Sequence, residues 1–174
     1  NLVFFARPNN PTGTLWPSSL IARVAGDFPD VIFVSDEAYS AYATDSMLGR
    51  WRELPNLLVM QTLSKIGLAA LRVGYLHGHP RLIGELDKVR MPYNVGTLNQ
   101  RAALWVLRHH ANLLDQRCQD VVGERTTLLS ALDAFDDIRP YSSSANLILF
   151  RVGTPGDGRA SRVWQSLCKQ GILI

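Results

Sequence analysis

Three apolar runs in this sequence are each followed by polar side chains of differing chemistry. Asn10 comes after Leu2-Val3-Phe4-Phe5-Ala6, Asp36 and Tyr39 come after Val31-Ile32-Phe33-Val34, and Lys65 comes after the run from Leu57 to Met60. An amide can donate and accept hydrogen bonds, a carboxylate can hold a proton, and a phenol can donate one. An amine with a poised pKa can act as a nucleophile and then as a base. Each has a plainer reading when taken alone. Lys65 would be a solvated surface lysine, Asp36 a strand-end cap, Tyr39 a half-buried aromatic and Asn10 a turn residue. It is their common place after strand-like runs that asks for one ligand needing all four.

The elements that must position them follow from periodicity. Residues 2–6, 31–34, 57–60 and 73–76 are short apolar runs of strand length. Arg7-Pro8-Asn9-Asn10-Pro11-Thr12-Gly13 is a dense turn signal. Pro17 opens a helix in which Leu20, Ile21, Val24 and Ala25 keep helical spacing, and Gly26 and Pro29 close it. Strands alternating with helical stretches predict an α/β fold on a largely parallel sheet. In such sheets ligands bind at the carboxyl ends of the strands. Further on, the spacing predicts helices over 79–90, 98–107, 113–135 and 159–170, and strands over 138–141 and 145–152. A change of architecture is therefore expected near 105–115. The chain opens directly inside an apolar run and closes on Gly171-Ile172-Leu173-Ile174, which reads as the start of a strand. Both ends point to an internal piece of a longer protein.

Composition narrows the class. The 174 residues are 47% hydrophobic and 19% charged, enough to bury a core and unlike a disordered or fibrous chain. The net charge of +3 comes from scattered residues, so neither nucleic acid nor a membrane is implied as a partner. Cys118 and Cys168 are too few for a disulfide framework and too far apart for a metal knuckle, which fits a reducing compartment. His77 and His79 lack a carboxylate or thiol partner in the sequence pattern, so no metal is expected. His109 and His110 lie near a predicted helix end. Tyr93 and Asn94 read equally as a helix-breaking turn or as a contact near the active site or a dimer interface, and Asn146 as a strand-entry residue.

Three segments together carry a family resemblance. Asn10-Pro11-Thr12-Gly13, then Asp36-Glu37-Ala38-Tyr39, then Thr62-Leu63-Ser64-Lys65 with Arg72-Val73-Gly74-Tyr75, resemble in order and interval the motif series of the class I/II pyridoxal-phosphate (PLP) aminotransferases. Thr62 to Ala69, Pro92-Tyr93-Asn94-Val95 and Ser143-Ser144-Ala145-Asn146-Leu147 are similar to the histidinol-phosphate branch of that family. The interval from Lys65 to Arg72 is one residue shorter than in much of the family.

The resemblance implies a PLP-dependent transferase fold, aspartate aminotransferase-like (fold type I). Residues 1–108 would be the second half of the large domain and 109–174 part of the small carboxy-terminal one. Lys65 would form the Schiff base with the cofactor and move the proton during transfer. Asp36 would hold the pyridine nitrogen protonated, and Tyr39 and Asn10 would hydrogen-bond the ring oxygen. Arg72, Ser64 and Thr62 would bind the phosphate. The implied reaction passes an amino group between L-histidinol phosphate and 2-oxoglutarate, in the cytoplasm, within a homodimer. Rival readings are another aminotransferase of the class, a PLP lyase such as a threonine-phosphate decarboxylase, and an aminotransferase-like regulator module. The family's upstream half-domain and its substrate-carboxylate arginine would lie outside this stretch, so the stretch alone is expected to hold PLP poorly and turn over slowly or not at all.

Overall fold

The computed structural model describes residues 1–174. Four strands, β1 (Leu2–Ala6), β2 (Ile32–Asp36), β3 (Leu57–Thr62) and β4 (Gly74–Gly78), form one sheet in the order β1-β2-β3-β4. The first three run parallel, so Ala6, Asp36 and Met60 lie side by side near one edge. β4 is antiparallel to β3, with Gly74 opposite Thr62. The expected parallel order thus holds for three strands and reverses at the fourth. The connection explains why. Residues 63–73 hold two short 3-10 turns, Leu63–Ile66 and Ala69–Leu71, and no helix. A parallel crossover takes a dozen or more residues, usually with a helix, so this link folds straight back.

Helix α1 (Ser18–Asp27) packs on the sheet. Ala25 meets Phe33, Met47, Leu57 and Val59 in the main buried cluster, and Ile21, one helical turn earlier, lies against it. The exit of α1 is tied down by a side chain from elsewhere. The Asn56 amide donates to the carbonyls of Ala25 (2.9 Å), Phe28 (3.1 Å) and Val31 (2.9 Å). The helix-end carbonyls would otherwise lack partners. β1 is an edge strand, and its Leu2 and Phe4 are 56% and 63% exposed.

A charged network lies under the first two strand ends. Arg7 is fully buried, and its Nη1 donates to Glu37 Oε1 at 3.1 Å. Its other guanidinium nitrogens donate to the Asp45 carboxylate and the Trp16 carbonyl. Glu37 also accepts from the Met47 amide at 2.6 Å and from the Ser46 hydroxyl. The Arg7 amide donates to the Asp36 carbonyl at 2.7 Å. Asp45 takes the Ser18 amide at the start of α1. Burial would raise its carboxyl, but the bonds from Ser18 and Arg7 outweigh that and hold it below the ordinary carboxylate range.

The rest of the chain is α2 (Pro80–Val89), α3 (Thr97–His109), α4 (Ala111–Asp133), β5 (Ile138–Pro140), β6 (Phe150–Val152) and α5 (Arg159–Lys169). β5 and β6 form a separate antiparallel pair. The strand expected over 145–152 pairs with the short β5 only over its last three residues; one further bond, from the Tyr141 amide to the Leu149 carbonyl at 2.9 Å, continues past Pro140, and residues 145–148 join no sheet. The strand expected from Gly171 does not form: these residues pair with no strand, and a strand exists only as part of a ladder. α4 packs against β5 and back against the turns Ser40–Tyr42 and Leu63–Ile66. The Ser144 amide donates to the Gly13 carbonyl at 2.9 Å. Gly13 has φ 69°, and a Cβ there would collide with Ser143. No helix is long and apolar enough to cross a membrane.

Three stability outcomes follow, each measured by urea unfolding. Glu37→Ala strands the Arg7 charge and is expected to cost about 3–5 kcal/mol. Asn56→Ala leaves buried carbonyls unmet and is expected to cost about 1–3 kcal/mol. The depressed Asp45 contributes stability above its unfolded pKa and loses it as pH falls through the folded value, so the gap between the parent and Asp45→Asn should close on acidification below about pH 4.

Candidate active site

The parallel strands deliver their carboxyl ends to one rim, and antiparallel β4 departs from the same rim. Asp36 is the last residue of β2, and its Oδ1 accepts the Ala38 amide at 3.0 Å. The cap expected of a lone Asp is therefore present, while its other oxygen takes no bond from the chain. Tyr39 precedes the 3-10 turn Ser40–Tyr42. The Asn10 amide donates to the Tyr39 hydroxyl at 3.1 Å. The Lys65 Nζ lies 5.3 Å from the centroid of the Tyr39 ring. Lys65 is exposed and pairs with no carboxylate; its cation rests on an aromatic face instead.

Arg72 and Ser64 meet on the other side. Arg72 Nη1 donates to Ser64 Oγ at 3.3 Å. Arg72 has φ 54°, a left-handed conformation that side-chain-bearing residues seldom adopt and that clusters at functional positions. Asp36, Thr62, Ser64 and Arg72 line one cleft of about 610 Å³, with Tyr75 and Arg90. That volume lies in the range of small-molecule sites. Thr62 lines this cleft and also has partners within the chain. Its hydroxyl accepts the Ser64 amide at 3.1 Å and donates to the Val73 carbonyl at 3.2 Å. It starts the turn that carries Ser64 and Lys65, and its one proton is already committed.

The seven expected residues thus fall into two adjoining groups. One is Asn10, Tyr39 and Lys65; the other is Arg72 with Ser64, on the turn Thr62 starts. Asp36 joins them, as it lines the second cleft and lies at the strand end leading to Tyr39. The donor set fits an aromatic, phosphorylated aldehyde: an amine, a carboxylate with a free oxygen, an amide and a phenol together, and a guanidinium beside a hydroxyl for the dianion.

Other candidates settle elsewhere. His79 caps α2 through the Arg81 amide, and His77 packs edge-on against Tyr75 with its Nε2 buried and unpaired. No three His, Cys, Asp or Glu side chains come close enough to hold a metal ion. Tyr93 is 97% exposed. Sequence reasoning missed Tyr42, whose buried hydroxyl donates to the Lys65 carbonyl. Its signal was present: a second tyrosine one tight turn after Tyr39. It also assigned no role to Arg7, in the turn before the first motif, or to Glu37, inside the second.

Comparison with known proteins identifies the family and the fold. The chain is 40% identical to histidinol-phosphate aminotransferase 1 of Ralstonia nicotianae, over 99% of this chain and 46% of that protein. The crystal structure of histidinol-phosphate aminotransferase from Sinorhizobium meliloti, in complex with pyridoxal-5'-phosphate, superposes with a TM-score of 0.85 at 26% identity, over 99% of this chain and 48% of that one. L-threonine-O-3-phosphate decarboxylase from Porphyromonas gingivalis shares the fold at a TM-score of 0.84 and 24% identity, over 100% of this chain and 54% of that one. The chain spans about half the length of the curated relatives it matches. The common architecture is fold type I of the PLP-dependent transferases, of which this chain carries a part. With residues 1–174 all matched by the family's model, the chain belongs to the aminotransferase class I and II family.

Proposed function

We propose that the protein to which this chain belongs is a PLP-dependent aminotransferase acting on L-histidinol phosphate and 2-oxoglutarate. The observation that carries this reading is the contact series Asn10–Tyr39–Lys65 beside the Asp36 and Arg72–Ser64 cleft, in a chain 40% identical to a histidinol-phosphate aminotransferase. Bound PLP supplies an electron sink for charge developing at the substrate Cα. Asp36 holds a proton on the ring nitrogen through its free oxygen. Tyr39 and Asn10 donate to the ring oxygen from one hydrogen-bonded pair. Arg72, Ser64 and Thr62 would hold the phosphate, and Thr62 also starts the turn that carries Ser64. Lys65 would hold the cofactor covalently, and its Nζ would be the group that takes and returns the substrate Cα proton.

The domain assignment belongs to the same proposal: residues 1–108 as the second half of a large domain and 109–174 as part of a small one. So do the homodimer and the cytoplasm. A same-fold lyase is the second reading, favoured by the likeness to the decarboxylase structure. Keto-acid formation marks the transferase, and carbon dioxide release marks the lyase.

Borohydride reduction of the full-length protein with PLP, followed by peptide mapping, should place the pyridoxyl group on Lys65. Lys65→Ala should lose it, together with transamination. Asp36→Asn should keep the covalent link but lower kcat by about 10²–10³-fold, the scale of losing one preorganised electrostatic group. A pyridoxyl group on another lysine would refute the assignment. The 174-residue chain tested alone should show a weak cofactor band and little turnover.

A further inference from the structure

The turn Ser40–Tyr42 and the tyrosine that precedes it touch the site lysine at two points. The Tyr39 ring lies beneath the Lys65 Nζ, 5.3 Å from ring centroid to nitrogen. The Tyr42 hydroxyl donates to the Lys65 backbone carbonyl. The Tyr42 amide bonds the Tyr39 carbonyl at 3.1 Å, so the two rings are carried by one closed turn. The Lys65 carbonyl lies near the end of its own 3-10 turn, where carbonyls lack partners within the turn. There the Leu63 carbonyl takes the amides of Gly67 and Leu68, and the Lys65 carbonyl takes the phenol.

Tyr42 is itself held from behind. It is buried, and Arg125 of α4 donates through Nη1 to the Tyr42 carbonyl at 3.3 Å and to the Ala145 carbonyl at 2.7 Å. The neighbouring Ser144 amide reaches the Gly13 carbonyl at 2.9 Å, in the loop that carries Asn10. Arg125 is thus a junction with one branch leading to Lys65 and the other toward Asn10. Burial, with Cys118 beside it, holds the Tyr42 phenol above its ordinary range, so the hydroxyl stays a donor. A phenol that merely filled space here would leave its hydroxyl unmet, at a cost in stability.

We propose that Tyr42 is a positioning residue for the Lys65 amine, braced by Arg125: the phenol fixes the lysine's backbone while Tyr39, on the same turn, limits where the Nζ can point. This rests on Lys65 being the cofactor-bearing amine. The carboxy-terminal half of the chain would then set the aim of a nucleophile carried by the first half.

The test uses the full-length protein and Tyr42→Phe, which removes only the hydroxyl. Without cofactor, hydrogen exchange at the Gly67 and Leu68 amides should quicken about 5–10-fold, the scale of one lost hydrogen bond, while Phe33 and Val34 in β2 stay protected. The chain has three lysines, Lys65, Lys88 and Lys169, so reductive methylation read peptide by peptide has internal references. The pH profile of Lys65 labelling should shift in the variant, and those of Lys88 and Lys169 should not. With PLP, kcat should fall about tenfold with little change in KM, as for an interaction made mainly in the transition state. Arg125→Gln leaves the phenol in place and should loosen the same two amides. Unchanged Gly67 and Leu68 exchange in both variants, with an unshifted Lys65 profile, would overturn the proposal. A pyridoxyl group trapped on a lysine other than Lys65 would instead overturn the functional reading, whatever the exchange data show.

Discussion

The buried pair of Arg7 and Glu37 is the contact on which the geometry of the rim depends. Taking two opposite charges out of water costs several kcal/mol per ion and is recovered only when every remaining donor and acceptor is met. Here the guanidinium reaches Glu37, Asp45 and the Trp16 carbonyl, and the Glu37 carboxylate adds Ser46 and the Met47 amide. Arg7 directly follows β1 and Glu37 directly follows β2. One ion pair therefore locks together the two strand ends that lead into Asn10 and Tyr39. Their 3.1 Å hydrogen bond is registered from below, and neither residue has to hold the other in place.

The rim above has the opposite character. Beneath it, charges are buried and fully matched; on it, Lys65 faces an aromatic ring and Arg72 a hydroxyl, and neither finds a carboxylate. A matched charge is inert toward a ligand. Unmatched groups, held rigidly by matched ones, can bind an anion or take up a proton without first breaking an internal bond. The left-handed Arg72 and the hydroxyl-started turn at Thr62 belong to the same division: the backbone absorbs the constraint and the side-chain heads stay available.

The strands of this fold could be read from the chain because their cause is local. Leu2–Ala6 is a continuous apolar run and forms β1 over those same residues, and the helix opened by Pro17 is α1. The site residues were legible because each lies in a short motif at or beside the end of a strand. What stayed hidden depends on partners far away in sequence. Glu37 meets Arg7 across 30 positions, Asn56 caps Ala25 across 31, and Tyr42 reaches Lys65 across 23. The alternation at 145–149 is a genuine strand pattern, yet a strand needs a ladder and residues 145–148 join no sheet. The reversal at β4 was hidden for a related reason: direction is set by what the connection can span, and the apolar run alone does not encode it.

The outer flank of β1 has a practical consequence. Its backbone edge is open, and Leu2, Val3 and Phe4 are solvent-facing. Such a flank is a template for adventitious strand addition, the first step of aggregation. For this polypeptide in isolation that edge adds a backbone route to association beside the exposed apolar side chains of residues such as Val89 and Leu98. Kosmotropic salts, which strengthen apolar burial, would hasten clumping; dilution would restrain it.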